Sequence, residues 1–282
     1  MCSKLIIRDR CFDWGQRTYL MGVLNVTPDS FSDGGEFNTT TAALSQAQAL
    51  VAAGVDIIDV GGQSTRPGAE QITLEAELNR VLPVLEVLRP KISVPISVDT
   101  TRAEVAKASI LAGADIINDI SGGTFDAQML PTVASLGVPI VLMHIRGTPQ
   151  TMQQMTDYQD VVQEIAEFLA QQIAIAIDLG VDPEKIVIDP GIGFAKNYEQ
   201  NLEILRRLGE LRSLNHPILV GVSRKSFIGR ILNQPEPKAR VWGTAAACCA
   251  AIFNGADILR VHDVKEMCDV SQVADTLFRD SV

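Results

Sequence analysis

The chain lacks the features that mark several common classes of protein. It has no apolar run of the ~18 residues that a membrane span needs, and no long apolar segment behind its N-terminal basic residues. We therefore expect neither a membrane helix nor a signal peptide. Its five cysteines form no C-x-x-C pair, which predicts reduced thiols and a cytoplasmic location. Basic residues are also few, with 24 Lys and Arg against 34 Asp and Glu and a net charge of −10, so we expect no nucleic-acid partner.

Eight short apolar runs, each followed by polar residues, are present instead. Runs without alternation are typical of parallel strands that are buried on both faces. The runs occupy residues 19–24, 57–62, 95–98, 115–117, 139–143, 185–188, 218–221 and 258–259. The stretches between them are long enough for helices. This pattern predicts an α/β fold, a single (β/α)₈ TIM barrel with its active site at the carboxyl ends of the strands.

The length of the chain fits one such barrel, since 282 residues are close to the ~250 typical of the fold. We predict one domain over residues 1–282. Within it, residues 1–19 hold a β-hairpin that closes the bottom of the barrel, and residues 20–282 form the barrel. Two loops rich in Gly, Pro and Ser, from Thr27 to about Asn38 and from Gly62 to about Glu70, are expected to be lids over the barrel mouth.

Polar residues at the strand ends are candidates for a binding site. Asp99, Asn118 and Asp189 end three different strands, and each alone would more often cap the following helix. Because the carboxyl ends of barrel strands meet at one mouth, we expect the three to share a cavity. Positive residues follow other strand ends, namely Arg66, Lys225, Arg260 and His262, and they would make that mouth attractive to anions.

An ordered set of motifs identifies a family. The segments are MGVLNVTPDSFSDGG from Met21, DIIDVGGQSTRPGA from Asp56, SVDT, DIINDISGG, LMHIRGTPQTM from Leu142, DPGIGFAK from Asp189, GVSRKSFIGR from Gly221 and RVHDV. Together they resemble dihydropteroate synthases from about Met21 to Val264. The resemblance implies condensation of p-aminobenzoate with (7,8-dihydropterin-6-yl)methyl diphosphate, a step of folate biosynthesis, by a homodimer. The small residues from Gly243 to Ala251 would permit close helix packing across the dimer interface.

The resemblance also implies a role for each site residue. The pterin-binding set is Asp99, Asn118, Asp189, Lys225 and Arg260. The diphosphate-binding set is Asn25, Thr65, Arg66, Arg260 and His262. The p-aminobenzoate-binding set is Phe31, Thr65, Pro67, Phe194 and Ser226. We expect a dissociative reaction in which Asp99, Asp33 and Lys225 are catalytic, with a Mg²⁺ cofactor held by the carboxamide of Asn25.

One departure from the family pattern is visible at Gln63, where glutamate is more familiar. The change removes a charge but keeps the size and hydrogen-bonding capacity of the side chain, and we expect it to be tolerated. Two alternatives to the synthase remain: a pterin-binding methyltransferase-type barrel and a non-catalytic pterin-binding protein. A methyltransferase-type barrel would not need the segment from Ser223 to Ser226. A non-catalytic pterin-binding protein would not need Asn25, Arg66, Arg260 and His262. All of these residues are present, which favours the synthase.

Overall fold

The computed structural model of the chain describes residues 4–27 and 36–279. Its first two strands, β1 (Lys4–Ile7) and β2 (Arg10–Asp13), form an antiparallel hairpin. The barrel strands are β3 (Tyr19–Asn25), β4 (Ile57–Gly61), β5 (Ile96–Asp99), β6 (Ile116–Asp119), β7 (Ile140–Met143), β8 (Ile186–Asp189), β9 (Leu219–Val220) and β10 (Ile258–Val261). All neighbouring barrel strands pair in parallel, in the order β8-β7-β6-β5-β4-β3-β10-β9. A parallel bridge between Ile188 and Ile218 brings the two ends of the sheet together, so the predicted eight-stranded barrel is confirmed.

Helices separate the strands. They are α1 (Glu36–Ala52), α2 (Leu74–Leu88), α3 (Ala103–Leu111), α4 (Met129–Leu136), α5 (Val161–Asp178), α6 (Tyr198–Arg207), α7 (Ser226–Leu232), α8 (Val241–Phe253) and α9 (Val264–Phe278). Two helices, α7 and α8, lie between β9 and β10. The sequence pattern did not separate these two helices. The first, α7, is short, and its C-cap Asn233 is in the left-handed region with φ of 49°. No helix within residues 4–27 and 36–279 is long and apolar enough to cross a membrane.

The hairpin closes the bottom of the barrel, as predicted. Its buried side chains Leu5, Ile7 and Phe12 share one apolar cluster with residues from the amino-terminal halves of the barrel strands. The strand residues of that cluster are Tyr19, Met21, Ile57, Ile116, Val141, Val187, Leu219 and Ile258. The opposite face of the strands packs in a separate cluster with the helices.

The alternation of side chains along the strands places polar groups above this apolar layer. Successive residues of a strand point to opposite faces, so residues two apart share a face. Two positions after Ile57, Ile116, Val187 and Ile258 lie Asp59, Asn118, Asp189 and Arg260 respectively. Asp99 occupies the equivalent level at the end of β5. The side chains that face the barrel interior at the carboxyl ends of the strands are therefore polar.

Candidate active site

Arg260 lies between two buried carboxylates at the centre of the barrel mouth. Its Nε donates to Oδ2 of Asp59 at 2.7 Å, and its NH2 donates to Oδ2 of Asp99 at 2.9 Å. The same oxygen of Asp59 accepts a hydrogen bond of 3.1 Å from Nδ2 of Asn118. Of the expected set of Asp99, Asn118 and Asp189, the first two are joined through Asp59 and Arg260, while Asp189 accepts from Gly191 outside this network. The roles of these residues towards a substrate remain predictions.

Asp189 and Lys225 are close enough to influence each other electrostatically. One oxygen of Asp189 accepts from the backbone N–H of Gly191 at 2.7 Å, which fixes the carboxylate at the start of the loop after β8. The ammonium of Lys225 lies 4.4 Å from the centroid of the Phe194 ring, a cation–π distance. Phe194 belongs to the same loop, so the predicted pterin and p-aminobenzoate residues are contiguous here.

The loop after β8 requires glycine where it passes the end of β7. Gly191 has φ of 69°, and a Cβ at this position would lie 2.0 Å from the carbonyl oxygen of His144. A side chain is excluded on both counts, since the left-handed region disfavours most residues. The motif DPGIGF therefore supplies, besides Asp189, the glycine that lets this loop pass close to the backbone of His144.

Burial and neighbouring charges shift the pKa values of the ionisable side chains in the mouth. Burial raises the pKa of Asp99 to about 7; Arg260 opposes this shift and Asp59 adds to it. Burial also raises the pKa of Asp189 to about 6, and the Gly191 hydrogen bond and Lys225 oppose it. For Lys225, burial and Arg260 lower the pKa to about 8. Burial thus disfavours the charged forms of both carboxyl groups, so the mouth favours a ligand that brings hydrogen-bond donors or develops positive charge beside them.

His262 differs from its predicted role as a positive group. Burial, followed by Arg224 and Arg260, lowers its pKa to about 3, so the imidazole is neutral at pH 7. Its Nδ1 lies 3.0 Å from the hydroxyl of Ser223, which also accepts from the backbone N–H of His262 at 3.2 Å. The expectation of charge at this residue is therefore wrong, because a sequence motif does not show desolvation. His262 can still offer a neutral hydrogen bond.

The residues predicted to bind diphosphate do not all lie together. Asn25 ends β3 beside β4, and a Cβ on Gly61 would lie 3.6 Å from its Oδ1 and 3.9 Å from Oδ2 of Asp99. Thr65 is half-buried and lines a cavity that also contains Asp99. Arg66, however, is exposed on the loop after β4. Asn25 and Thr65 thus share the mouth with Asp99, while Arg66 extends towards solvent.

The cavity beside Asp99 is built from the loops after four successive strands. It lies between the loops after β4, β5, β6 and β7, and its lining includes Thr65, Asp99, Ile120 and Pro149. Of the predicted p-aminobenzoate residues, Pro67 is exposed on the first of these loops and Ser226 is exposed at the start of α7. Phe31 and Asp33 lie outside the described residues.

Asp59 and Lys196 are the main residues that sequence reasoning missed. Asp59 is 0% exposed, and the signal for it was a lone carboxylate inside an otherwise apolar run. Lys196 is also buried, and burial lowers its pKa well below the ordinary value. Its Nζ lies 2.8 Å from Nδ1 of His144 and donates to the carbonyl oxygen of Phe194 at 2.9 Å. Lys196 therefore fixes the backbone of the loop that carries Phe194.

Comparisons with known proteins agree with this geometry. The model of the pterin binding enzyme family matches residues 21–262. A dihydropteroate synthase of Synechocystis sp. (strain ATCC 27184 / PCC 6803 / Kazusa) is 59% identical over 268 residues, which cover 95% of this chain and 93% of the relative. The chain belongs to the dihydropteroate synthase family. It is therefore an enzyme of the transferase class.

Solved structures of the same family share the fold over nearly the whole chain. The dihydropteroate synthase of Clostridium difficile, in the presence of pteroic acid, has a TM-score of 0.91 and 44% identity, covering 95% of this chain and 100% of its own. The dihydropteroate synthase of Xanthomonas albilineans with 4-aminobenzoic acid has a TM-score of 0.91 and 41% identity, covering 98% of both chains. The resemblance drawn from the motifs is thereby confirmed.

Proposed function

We propose that the chain condenses p-aminobenzoate with (7,8-dihydropterin-6-yl)methyl diphosphate, releasing 7,8-dihydropteroate and diphosphate by a dissociative mechanism. One observation carries the proposal: Asp59, Asp99 and Asn118 are joined through shared hydrogen bonds with Arg260 at the mouth of the barrel. Family membership adds weight, since relatives with the name dihydropteroate synthase match 95% of the chain. The two ligands named for the family structures, pteroic acid and 4-aminobenzoic acid, correspond to an oxidised product analogue and a substrate.

The pterin edge is assigned to Asp99, Asn118, Asp189, Lys225 and Arg260. A pterin presents amino and ring N–H donors beside a carbonyl acceptor, and carboxylates and carboxamides match such an edge. Because Nδ2 of Asn118 donates to Asp59, its amide is held in one orientation and offers its oxygen to the ligand. The ammonium of Lys225 is assigned to the pterin carbonyl.

The carboxylates of the mouth support the dissociative course. When diphosphate leaves, positive charge develops on the methylene and spreads into the reduced pterin ring. The Asp99 carboxylate, buried and held by Arg260, would stabilise that charge without reorganisation. The amine of p-aminobenzoate then attacks the cationic carbon and loses a proton. No covalent enzyme intermediate is required. Asp33, assigned a similar electrostatic role, lies outside the described residues.

The leaving diphosphate is assigned to Asn25, Thr65, Arg66, Arg260 and His262. Arg66 and Arg260 contribute charge and the fork geometry that suits phosphate oxygens. His262 contributes a neutral donor: if the hydroxyl of Ser223 donates to Nδ1, the proton of the imidazole is on Nε2. The exposed Arg66 would then fold inward with its loop when the anion binds.

Mg²⁺ fits the donor set of this site in a limited way. No group of three His, Cys, Asp or Glu that could hold a metal occurs within residues 4–27 and 36–279. Asn25 offers one neutral oxygen, the donor type that Mg²⁺ accepts when substrate phosphates and waters supply the remaining ligands. Mg²⁺ bound in this way would neutralise charge on the leaving diphosphate.

The p-aminobenzoate pocket is assigned to Phe194, Ser226, Thr65 and Pro67, with Phe31 outside the described residues. The Phe194 ring already packs on Lys225, so it is positioned as the apolar wall next to the pterin site. Ser226 would accept the carboxylate of the substrate. Thr65 and Pro67 belong to the loop after β4 and would close the pocket from above.

A homodimer in the cytoplasm completes the proposal. An apolar surface on α8 and α9, the α8–α9 face, consists of Trp242, Phe253, Val273, Leu277 and Phe278, all exposed. Exposed apolar patches of this kind are typical of protein–protein contacts, and a second copy of the chain is the partner that we assign. The cytoplasmic location rests on the cysteines: the four within the described residues, Cys11, Cys248, Cys249 and Cys268, are free.

The decisive experiment is an assay of the purified chain with both substrates and Mg²⁺. We expect dihydropteroate and diphosphate to form in equal amounts, with loss of the reaction when a chelator removes the metal. Binding of the pterin substrate without release of diphosphate would favour a non-catalytic pterin-binding protein. Transfer of a methyl group in place of the condensation would favour the methyltransferase-type alternative.

A further inference from the structure

Gln63 forms three hydrogen bonds with the loop that follows it. Its Nε2 donates to the carbonyl oxygens of Ser64 at 3.1 Å and Glu70 at 2.9 Å, and its Oε1 accepts from the backbone N–H of Ile72 at 2.9 Å. The side chain thus joins the first residues of the segment 62–72 to the last ones. It closes the base of the loop that carries Thr65, Arg66 and Pro67.

Ile72, at the far end of this base, is connected through Arg102 and Glu77 to Thr100, which follows Asp99 in the chain. The carbonyl oxygen of Ile72 accepts a hydrogen bond from Arg102, which also pairs with the carboxylate of Glu77. Glu77, 2% exposed, accepts from the hydroxyl of Thr100 at 2.6 Å. Ile72 is therefore held on both sides of its peptide, by Gln63 through N–H and by Arg102 through the carbonyl group.

The tip of the loop has a second fixed point. The backbone N–H of Gly68 donates to the carbonyl oxygen of Pro149 at 2.9 Å, and that of Ala69 donates to the carbonyl oxygen of Arg66 at 3.0 Å. Between the base and the tip lie the three residues assigned to diphosphate and p-aminobenzoate. Their placement over the cavity therefore depends on both attachments.

The chemistry at the base requires an amide. Both N–H groups of Gln63 are donors to carbonyl oxygens, and a carboxylate has none to give. A glutamate, the residue more familiar in the family, could still accept from Ile72 but would place a negative oxygen against the carbonyls of Ser64 and Glu70. The loop would lose two hydrogen bonds and gain a repulsion at half-buried groups. The neutral residue is thus matched to the loop of this chain.

We propose that Gln63 is a positioning residue of the condensation, which holds the segment 62–72 so that Thr65 and Arg66 meet diphosphate and p-aminobenzoate. The inference rests on the proposed function and adds to it a residue that acts by holding the loop rather than through an assigned substrate contact. The effect should be selective, because the pterin edge is assigned to strand ends that Gln63 does not contact.

The test compares Gln63→Glu and Gln63→Met with the parent enzyme. Met has similar length without N–H or carbonyl groups, and Gln48→Glu is the control that adds the same charge to an exposed residue of α1. We expect both Gln63 variants to raise KM for p-aminobenzoate and to weaken diphosphate binding by calorimetry, each by about tenfold, as loss of ~1.4 kcal/mol would do. kcat and the affinity for hydroxymethylpterin, which lacks diphosphate, should stay within about twofold.

Hydrogen exchange of segment 62–72 gives a second readout that does not need activity. The amide of Ile72 should exchange faster in both Gln63 variants than in the parent enzyme and in Gln48→Glu, while thermal unfolding shows that the barrel remains folded. Unchanged exchange together with unchanged KM in an active parent would overturn the inference, as would an equal loss of hydroxymethylpterin affinity. If a variant at Gln63 fails to fold, Gln63→Asn takes its place, since it keeps the amide but its side chain is one methylene shorter and would not reach Glu70 and Ile72 together. A parent that forms no dihydropteroate would defeat the proposed function instead, and exchange and diphosphate binding would still decide the role of Gln63.

Discussion

At the scale of single residues, the surroundings of each side chain decide the charge that it brings to the site. His262 and Lys225 both follow barrel strands and both are half-buried, yet the lowering of their pKa values has different consequences for their charge. With a pKa of about 3, His262 is neutral at pH 7, whereas Lys225, with a pKa of about 8, remains largely protonated. Arg260 lies between Asp59 and Asp99, which raise its pKa against the effect of burial. The positive charge of the mouth therefore resides on Arg260 and Lys225.

Removal of the Asp99 charge tests the electrostatic part of the mechanism. Asp99→Asn keeps the shape of the side chain but removes the carboxylate opposed to the pterin cation, and we expect kcat to fall by at least about 100-fold. The fold should persist, because Asp59 still pairs with Arg260. Steady-state kinetics and thermal unfolding check the two parts. Asp269→Asn, an exposed change on α9, is the control. A kcat near that of the parent enzyme would contradict the assignment.

The pH dependence of kcat/KM should be bell-shaped, since this parameter reports groups of the free enzyme. Asp99 and Asp189, with pKa values of about 7 and 6, are needed as carboxylates, so activity should fall as pH drops below about 7. Lys225 is needed as an ammonium, so activity should also fall as pH rises above about 8. Lys225→Arg should lower activity but remove the alkaline limb, because arginine stays protonated. An alkaline limb that persists in Lys225→Arg belongs to another group.

The sequence predicted the polar mouth but left out Asp59, for a physical reason. Asp59 lies inside the run 57–62 rather than after it, and apolar runs are recognised by composition. Asp59 comes two residues after Ile57, which packs in the apolar cluster at the bottom of the barrel. Its side chain therefore points to the barrel interior as well. Alternation along the strand would have found it, whereas the charge state of His262 could not be found, because it depends on burial by residues distant in sequence.

At the scale of elements, the strands were predictable and the loops were not. Parallel strands buried on both faces leave a strong apolar signal, and all eight were located. The short helix α7 left no such signal, because its seven residues make too few turns for a helical spacing of apolar residues to be recognised. The hydrogen bonds of Gln63 within segment 62–72 depend on how the loop folds back at Ile72, which composition does not show.

The loops lead to a prediction about the order of binding. Diphosphate is assigned to residues on both the barrel and the loop after β4, so it is the species that can bring Thr65 and Pro67 over the p-aminobenzoate pocket. Calorimetry should show weak binding of p-aminobenzoate to the free enzyme and much tighter binding once Mg²⁺ and diphosphate are present. Sulfonamides, which imitate p-aminobenzoate, should show the same dependence. Equal affinities in the two states would mean that the loops do not build this pocket.

At the scale of the whole molecule, small residues and large apolar ones have separate roles on α8. The small residues from Gly243 to Ala251 were expected to face an interface, but most of them pack within the chain. A Cβ on Gly243 would lie 2.4 Å from Cγ2 of Ile228 and 2.8 Å from Cδ1 of Leu232, both on α7. The outward positions are instead Trp242, Ala246, Ala250 and Phe253, which form one stripe at helical spacing. The Phe253 ring meets Phe278 of α9 edge to face, with centroids 5.1 Å apart.

This stripe makes the α8–α9 face the surface on which we expect a second copy of the chain to pack. The parent should sediment as a dimer, and Trp242→Glu should give a monomer, because a buried carboxylate without a partner is strongly disfavoured. Leu111→Glu on α3 is the matched control, since Leu111 and Trp242 are each 76% exposed and only Trp242 lies on the face. The described site residues come from one chain, so the monomer should keep kcat within a few-fold. A parent that sediments as a monomer, or dissociation in both variants alike, would show that the α8–α9 face does not form the interface.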